Sequence, residues 1–153
     1  MIQGVDHIAI ACASLETQIP FYRDVLGLEF IGSETVEDQK VKVAFFQAGE
    51  TRIELLEPTG PDSSVAKYIE KRGEGIHHIA YRSGDLEGDI EKLQGNEVRM
   101  IDSSPRPGAH GNRIAFIHPK STYGVLTELC APADGTSAPG SRPEGDHQEG
   151  GNG

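Results

Sequence analysis

The chain has 153 residues, which allows one domain or two half-size modules that share a core. It carries 14 Lys and Arg residues against 24 Asp and Glu residues, a formal net charge of −10. This acidic balance argues against a protein that binds nucleic acid through a phosphate-neutralising surface, so we expect no nucleic-acid partner.

The first half of the chain predicts a strand, a helix and three further strands. An alternating, β-prone pattern predicts a strand at 4–12, and a one-sided apolar pattern predicts a helix at 15–26. Pro20 removes a backbone donor inside this helix, so we expect the helix to be irregular there. Turn residues separate the next strands, which are predicted at about 28–35, 41–47 and 51–57.

The second half repeats this order after a short connecting helix at 62–72. We predict a strand at 75–82, a helix at about 85–94, and strands at about 97–102, 113–118 and 123–130. Both halves therefore follow the order β-α-β-β-β. The predicted fold class is α+β, with two tandem β-α-β-β-β modules forming an open cup-like, barrel-like mixed sheet. Its concave face is the expected site.

The end of the chain differs in composition. Residues 131–153 contain six Gly and three Pro, and their only apolar side chains are three Ala. Such a stretch cannot bury enough surface to offset its ordering entropy, so we predict a disordered tail. The folded domain is then residues 1–130, with modules at about 4–58 and 75–130 and a connector at 59–74.

Cysteine content and hydropathy bear on the cellular compartment. Cys12 and Cys130 are the only cysteines, too few for a disulfide framework and typical of a reduced protein. The first residues lack the basic flank and apolar run of a secretory signal. No window approaches the ~18 apolar residues that a membrane helix needs. We therefore predict a cytoplasmic protein without a membrane partner.

An internal repeat selects four candidate ligands. Residues 6–12 (DHIAIAC) resemble residues 77–83 (HHIAYRS) at an offset of 71, which superposes His7 on His78 in the first strand of each module. A second pair of stretches nearly superposes Glu54 on Glu128 in the last strands.

Strand alternation gives a face to one of the two glutamates. If Ile53 and Leu55 face the helices, Glu54 faces the concave side. Leu126 and Glu128 are two positions apart and would lie on the same face of a strand, so the same argument is weaker in the second module.

Two imidazoles and two carboxylates suit a divalent first-row metal with room for water or substrate oxygens. No cysteine cluster could form a closed structural zinc site. The alternative is that each residue is separately structural, as a lone His or Glu in a strand usually is. The residues alone leave both interpretations open.

The other histidines are weaker candidates. His77 should point to the face opposite His78, which favours packing over ligation. His118 lies at a strand end and either lines the cup or belongs to a turn. His110 lies in a Gly-rich loop that lacks the strand–loop–helix setting of a phosphate loop.

Four stretches of the chain carry a resemblance to a known family: PFYRDVLGLEF (20–30), QKVKVAFF (39–46), ELLEPTGPDSSVAKYIEKRGEGIHHIA (54–80) and RPGAHGNRIAFIHPKSTYGVLTEL (106–129). With the duplicated DHIAIA and HHIAYR strands, they resemble the vicinal oxygen chelate superfamily and, within it, the methylmalonyl-CoA epimerase branch.

The resemblance implies a divalent metal ion held by His7, Glu54, His78 and Glu128. Cobalt is favoured, with nickel, manganese or zinc as alternatives. It also implies epimerisation of (R)- and (S)-methylmalonyl-CoA, by proton abstraction and return at the carbon alpha to the thioester through a metal-stabilised enolate. Glu128 is the expected catalytic acid–base group, methylmalonyl-CoA the partner, and a homodimer the expected assembly.

The resemblance leaves a second acid–base group unassigned. Some relatives carry a glutamate at the position of Val43, so Glu37, Asp38 or, through a water, Glu54 are the candidates here. The residues that bind the rest of the substrate are not identified. Two other functions remain open: a glyoxalase I-like lyase or isomerase, and a non-catalytic small-molecule-binding protein on the same fold.

Overall fold

The computed structural model describes residues 1–133, whose strands form one mixed eight-stranded sheet. The strands are β1 Ile2–Ala11, β2 Glu29–Val36, β3 Val41–Ala48, β4 Thr51–Pro58, β5 Gly75–Ser83, β6 Arg106–Pro107, β7 Asn112–Ile117 and β8 Thr127–Pro132. The helices are α1 Leu15–Pro20, a π-helix over Phe21–Val25, α2 Ser64–Arg72 and α3 Leu86–Gly95. Most of the predicted tail, residues 134–153, lies outside the described residues.

The order of the strands is β2-β3-β4-β1-β5-β8-β7-β6. β1 is parallel to β4, and β5 is parallel to β8, so the last main strand of each module returns beside its first. β1 and β5 are antiparallel neighbours and join the two modules at the centre of the sheet. The predicted fold class, α+β with two tandem modules in a cup-like mixed sheet, is confirmed.

Local sequence signals explain where the helices begin. The Ser14 side chain accepts from the backbone N–H of Thr17 at the start of α1, and the Ser63 side chain caps α2 in the same way. After Pro20 the helix continues as a π-helix, so the irregularity expected at this proline is present.

Two predicted strands of the second module differ in the structure. The strand expected at 97–102 is reduced to a single bridge between Met100 and Ile117. Glu97 has a left-handed backbone (φ 62°), and the Asp102 carboxylate accepts the backbone N–H of Phe116, so regular pairing does not extend across this segment.

The last strand also has different bounds from those predicted. It was expected at 123–130 but begins at Thr127, because Tyr123 and Gly124 both have positive φ angles in the preceding turn. It ends at Pro132, two residues beyond the predicted end of the domain.

The sheet has an outer face that packs against α1 and α3, and an inner face that carries the candidate site. On the outer face, Leu15 of α1 packs with Phe46 and Leu55, and Leu86 of α3 packs with Leu129. Burying side chains of this size contributes about 1.5–3 kcal/mol each. Inner-face clusters surround a group of buried polar residues. None of the helices in residues 1–133 is long and apolar enough to cross a membrane.

Candidate functional site

The four residues selected by the repeat meet on the inner face of the sheet. His7 Nε2 lies 3.3 Å from His78 Nε2 and 2.9 Å from Glu128 Oε2. The ligand atoms of these three residues all lie within 4.8 Å of one another. Glu54 Oε2 lies 3.2 Å from the other ring nitrogen of His7, Nδ1. All four side chains are buried.

Packing on the outer face orients both glutamates inward. Ile53 and Leu55 pack against the α1 side, so Glu54 lies on the inner face as its alternation predicts. In β8, Leu129 packs with α3 on the outer face. Glu128 therefore lies on the inner face, a placement that the sequence left undecided.

A β-bulge precedes each histidine of the site. The register between β1 and β5 shifts at Asp6 and again at His77, so neither of these residues has a cross-strand partner. Two successive side chains, Asp6–His7 and His77–His78, are then buried together. The expectation that His77 points away from His78 is wrong, because regular alternation does not hold through a bulge.

The residue at each bulge contacts the Nδ1 atom of the histidine after it. Asp6 Oδ2 lies 2.7 Å from His7 Nδ1, and His77 Nδ1 lies 2.8 Å from His78 Nδ1. Asp6 is held in turn by Arg52, whose Nη2 donates to Oδ2 at 2.7 Å. Both contacts leave the Nε2 atoms facing each other.

The electrostatics of the pocket favour positive charge. Burial alone would lower the pKa of His7, but the carboxylates of Glu54 and Glu128 outweigh it and raise this pKa to about 10. Burial also raises the pKa of Glu54, with Glu128 adding to the shift. For Asp6, burial is opposed by the hydrogen bond from His7 and the charge of Arg52, which hold its pKa well below the usual range.

His78 remains neutral in the same pocket. Burial and the neighbouring charge of His7 hold its pKa well below the ordinary value. A neutral imidazole keeps one lone pair on the ring, which is the form that binds metals.

A buried carboxylate oxygen in this cluster has no hydrogen bond. Glu128 Oε2 is close to His7 Nε2, yet it has no hydrogen-bond partner among residues 1–133. Buried polar atoms are nearly always paired in proteins. Two imidazoles and two carboxylates converge here, and the carboxylates stabilise a positive charge between them, so this donor set fits a metal ion.

Three neighbouring cavities share His78 of the cluster as a lining residue. The innermost is lined by the four residues together with Gln39 and Val43. It adjoins a cavity of about 340 Å³ that also includes Gln39 and His78, and whose wall contains Asp38 and Arg106. Those two side chains form an ion pair of 2.9 Å.

The outermost space is a groove of about 640 Å³ that shares His77 and His78 with the middle cavity. Three cations of α2 line this groove, Lys67, Lys71 and Arg72. Apolar side chains form the remaining wall, among them Ile76, Val125 and Leu126. A basic, partly apolar groove suits a long ligand that carries phosphate.

The remaining sequence candidates lie around these spaces. Glu37 is exposed and lines none of the three. His118 lines the outer groove, and its Nδ1 accepts the backbone N–H of Lys120 at 3.0 Å. The His110 ring packs against Phe45, and its backbone N–H donates to Glu34.

The sequence did not indicate Arg52, Gln39 or the role of Asp6. The only available signal was the repeat itself, since the offset of 71 aligns Asp6 with His77.

Comparison with known proteins places this site in a wider group. The family model of the Glyoxalase/Bleomycin resistance protein/Dioxygenase superfamily matches residues 6–116. An uncharacterised Bacillus subtilis protein is 51% identical over 128 residues, which cover 84% of this chain and 91% of that protein. An ethylmalonyl-CoA/methylmalonyl-CoA epimerase of Cereibacter sphaeroides is 39% identical over 131 residues, covering 84% and 98%.

Solved structures of epimerases are also similar to this chain. A methylmalonyl-CoA epimerase in complex with methylmalonyl-CoA and NH4+ matches with a TM-score of 0.84 and 39% identity. The match covers 90% of this chain and 100% of that structure.

Proposed function

The chain belongs to the glyoxalase/bleomycin resistance protein/dioxygenase superfamily, and on that premise we propose that it is a methylmalonyl-CoA epimerase. It interconverts the (R) and (S) forms by removing and returning the proton on the carbon alpha to the thioester. The observation that carries this proposal is the convergence of two imidazoles and two carboxylates at the inner end of a basic groove.

We infer that His7, Glu54, His78 and Glu128 hold a divalent metal ion. The unpaired oxygen of Glu128 and the facing Nε2 atoms support this assignment. Two nitrogen and two oxygen donors suit cobalt, our first choice, as well as nickel, manganese or zinc. Bound there, the metal would supply a Lewis acid for the thioester and carboxylate oxygens of the substrate.

Glu128 is the proposed base for one face of the substrate. Its carboxylate is buried and lines the innermost cavity, where it faces His7 and His78. Burial also excludes competing water. Asp6, Arg52 and His7 keep this part of the pocket rigid through a chain of hydrogen bonds.

Inversion needs a second group on the opposite face, because one carboxylate cannot reach both faces of a planar enolate. We propose Asp38 for this role. It lines the cavity next to the ligand cluster, and its ion pair with Arg106 fixes the carboxylate. Val43 lines the ligand cavity and has no titratable group. Glu37 lines none of the three cavities, so we assign it no part.

The groove along α2 is the proposed site of the coenzyme A tail. Lys67, Lys71 and Arg72 offer local positive charge to the phosphates, although the whole chain is acidic. The apolar wall near Ile76 and Val125 suits the less polar arm that joins the phosphates to the thioester. The thioester end would then lie beside His77 and His78, where the groove meets the inner cavities.

Assembly and location are part of the proposal. Exposed apolar side chains on and after the π-helix, including Phe21, Val25 and Leu26, support a homodimer that covers them. The two unpaired, buried cysteines support a reducing cytoplasmic location. Light scattering of the purified protein tests the first point, with a monomer mass as the contradicting result.

Proton exchange tests the proposed activity directly. The protein is loaded with cobalt and incubated with methylmalonyl-CoA in deuterated water, and mass spectrometry follows label at C2. We expect one deuterium at C2, and much slower labelling with the chelator-treated protein. A parallel assay uses the hemithioacetal of methylglyoxal and glutathione. Conversion of that compound without exchange at C2 would overturn the proposal in favour of a glyoxalase-type activity.

A further inference from the structure

The β-bulge in β5 places His77 on the same face of the sheet as its neighbour His78, whereas successive residues of a regular strand alternate between faces. Ala9 pairs with His78, and the next residue of β1, Ile10, pairs with Ile76, so His77 has no cross-strand partner. The residue is only 8% exposed and lines two of the three cavities that His78 lines. His77 therefore lies beside the proposed ligand cluster without reaching it.

The ring contact defines which atom of His78 faces the cluster. His77 Nδ1 lies 2.8 Å from His78 Nδ1, while His78 Nε2 faces His7 Nε2 at 3.3 Å. If Nε2 offers its lone pair to the cluster, the proton of a neutral His78 is on Nδ1. Nδ1–H of His78 then donates to the Nδ1 lone pair of His77.

The internal repeat contains the same arrangement twice. Asp6 lies at the bulge in β1 and contacts His7 Nδ1 at 2.7 Å, and His77 lies at the bulge in β5 and contacts His78 Nδ1 at 2.8 Å. The offset that aligns His7 with His78 also aligns Asp6 with His77. In one module the Nδ1 atom faces a carboxylate bound by Arg52, and in the other it faces an imidazole.

We propose that His77 is a positioning residue, which holds His78 with Nε2 directed into the cluster by accepting its Nδ1–H. This inference rests on the metal site of the proposed function. Partners of this kind fix the ring orientation of a ligand histidine, and their loss typically costs about 10–100-fold in metal affinity. The alternative is that His77 only fills space against Tyr68, whose ring centroid lies 5.2 Å away.

Two substitutions separate an acceptor from a space-filling ring. His77→Phe keeps an aromatic ring for Tyr68 but removes the acceptor. His77→Asn loses the ring but keeps an oxygen near the position of Nδ1. His118→Phe is the matched control, since His118 lines the same groove and its ring nitrogen bonds to Lys120 instead.

The readouts are cobalt affinity against a competing chelator, the visible spectrum of the cobalt protein, and the thermal midpoint of each metal-free variant. We expect His77→Phe to bind cobalt about 10–100-fold more weakly with an altered spectrum. We expect His77→Asn and His118→Phe to remain near wild type in both. Equal affinity and spectrum in His77→Phe, or equal losses in both His77 variants, would overturn the proposal.

The outcomes also separate this inference from the proposed function. Weakened cobalt binding in His77→Phe, with no deuterium exchange by the wild type, would support the positioning role and refute the epimerase activity. Exchange by the wild type, with unaltered cobalt binding in His77→Phe, would refute the positioning role alone. A wild-type protein that binds no cobalt would overturn both.

Discussion

The Nε2 atoms of His7 and His78 lie 3.3 Å apart, although 71 positions separate the two residues in the chain. The contact forms because β1 and β5 are antiparallel neighbours at the junction of the two modules. Glu54 and Glu128 approach from the flanking strands β4 and β8. The candidate site therefore lies between the modules, and neither module contains it alone.

Removal of either central histidine should abolish stoichiometric metal binding. His7→Ala and His78→Ala each remove one imidazole from the cluster, and the remaining carboxylates then bind a cation with too few donors. Metal content by atomic emission after dialysis is the measurement. His118→Ala serves as the control and should retain the metal. Full metal content in both variants would place the metal elsewhere.

The two glutamates should respond differently to conversion into amides. Glu54→Gln keeps an oxygen donor at a position with no proposed proton-transfer role, so we expect metal content and turnover to change little. Glu128→Gln removes the proposed base and a ligand charge together. Turnover should fall about 10²–10⁴-fold, and metal binding should weaken. Similar losses in both variants would contradict this division of roles.

Asp38→Asn tests the second acid–base group. The carboxylate lines the cavity beside the cluster, so its loss should lower kcat about 10²–10⁴-fold while metal content stays normal. Glu37→Gln is the matched control, because Glu37 is the adjacent acid and lines none of the cavities, and it should have wild-type kcat. If Asp38→Asn also retains full activity, the second proton comes from water or from another side chain.

Single substitutions of the groove cations should raise KM more than they lower kcat. Lys67, Lys71 and Arg72 are exposed, and one exposed ion pair contributes about 0.2–1 kcal/mol, which is roughly 1.4–5-fold in KM. Increasing salt should diminish the effect. Lys92→Ala on α3 is the control and should leave KM unchanged. A loss of kcat without a change in KM would argue against the groove as the site of the phosphates.

Both cysteines should resist alkylation in the folded protein. Burial raises the pKa of Cys12 to about 11, and burial also raises the pKa of Cys130, so the thiolate is scarce at pH 8. Iodoacetamide at pH 8, followed by mass spectrometry, should label neither residue in native protein and both in denaturant. Rapid labelling of native protein would contradict the burial of these thiols.

The repeat, the alternation of apolar residues and the resemblance to the vicinal oxygen chelate superfamily were readable in the sequence. The family match and the mixed sheet confirm the resemblance and the predicted fold class. The spacing of His7 and His78, and the face of Glu54, followed from patterns within one strand or between two similar strands. Such patterns depend on residues that are close in the chain or on similar stretches of sequence, so they can be recognised without the tertiary structure.

The tertiary structure decided the features that depend on pairing between distant strands. A bulge arises from the register of two strands, and so the sequence of β5 alone could not indicate that His77 and His78 are buried side by side. The face of Glu128 depended on packing between β8 and α3. The loss of the strand at 97–102 depended on Asp102 bonding to Phe116. The residue types of the site are local information, but their orientation is set by long-range contacts that no local pattern records.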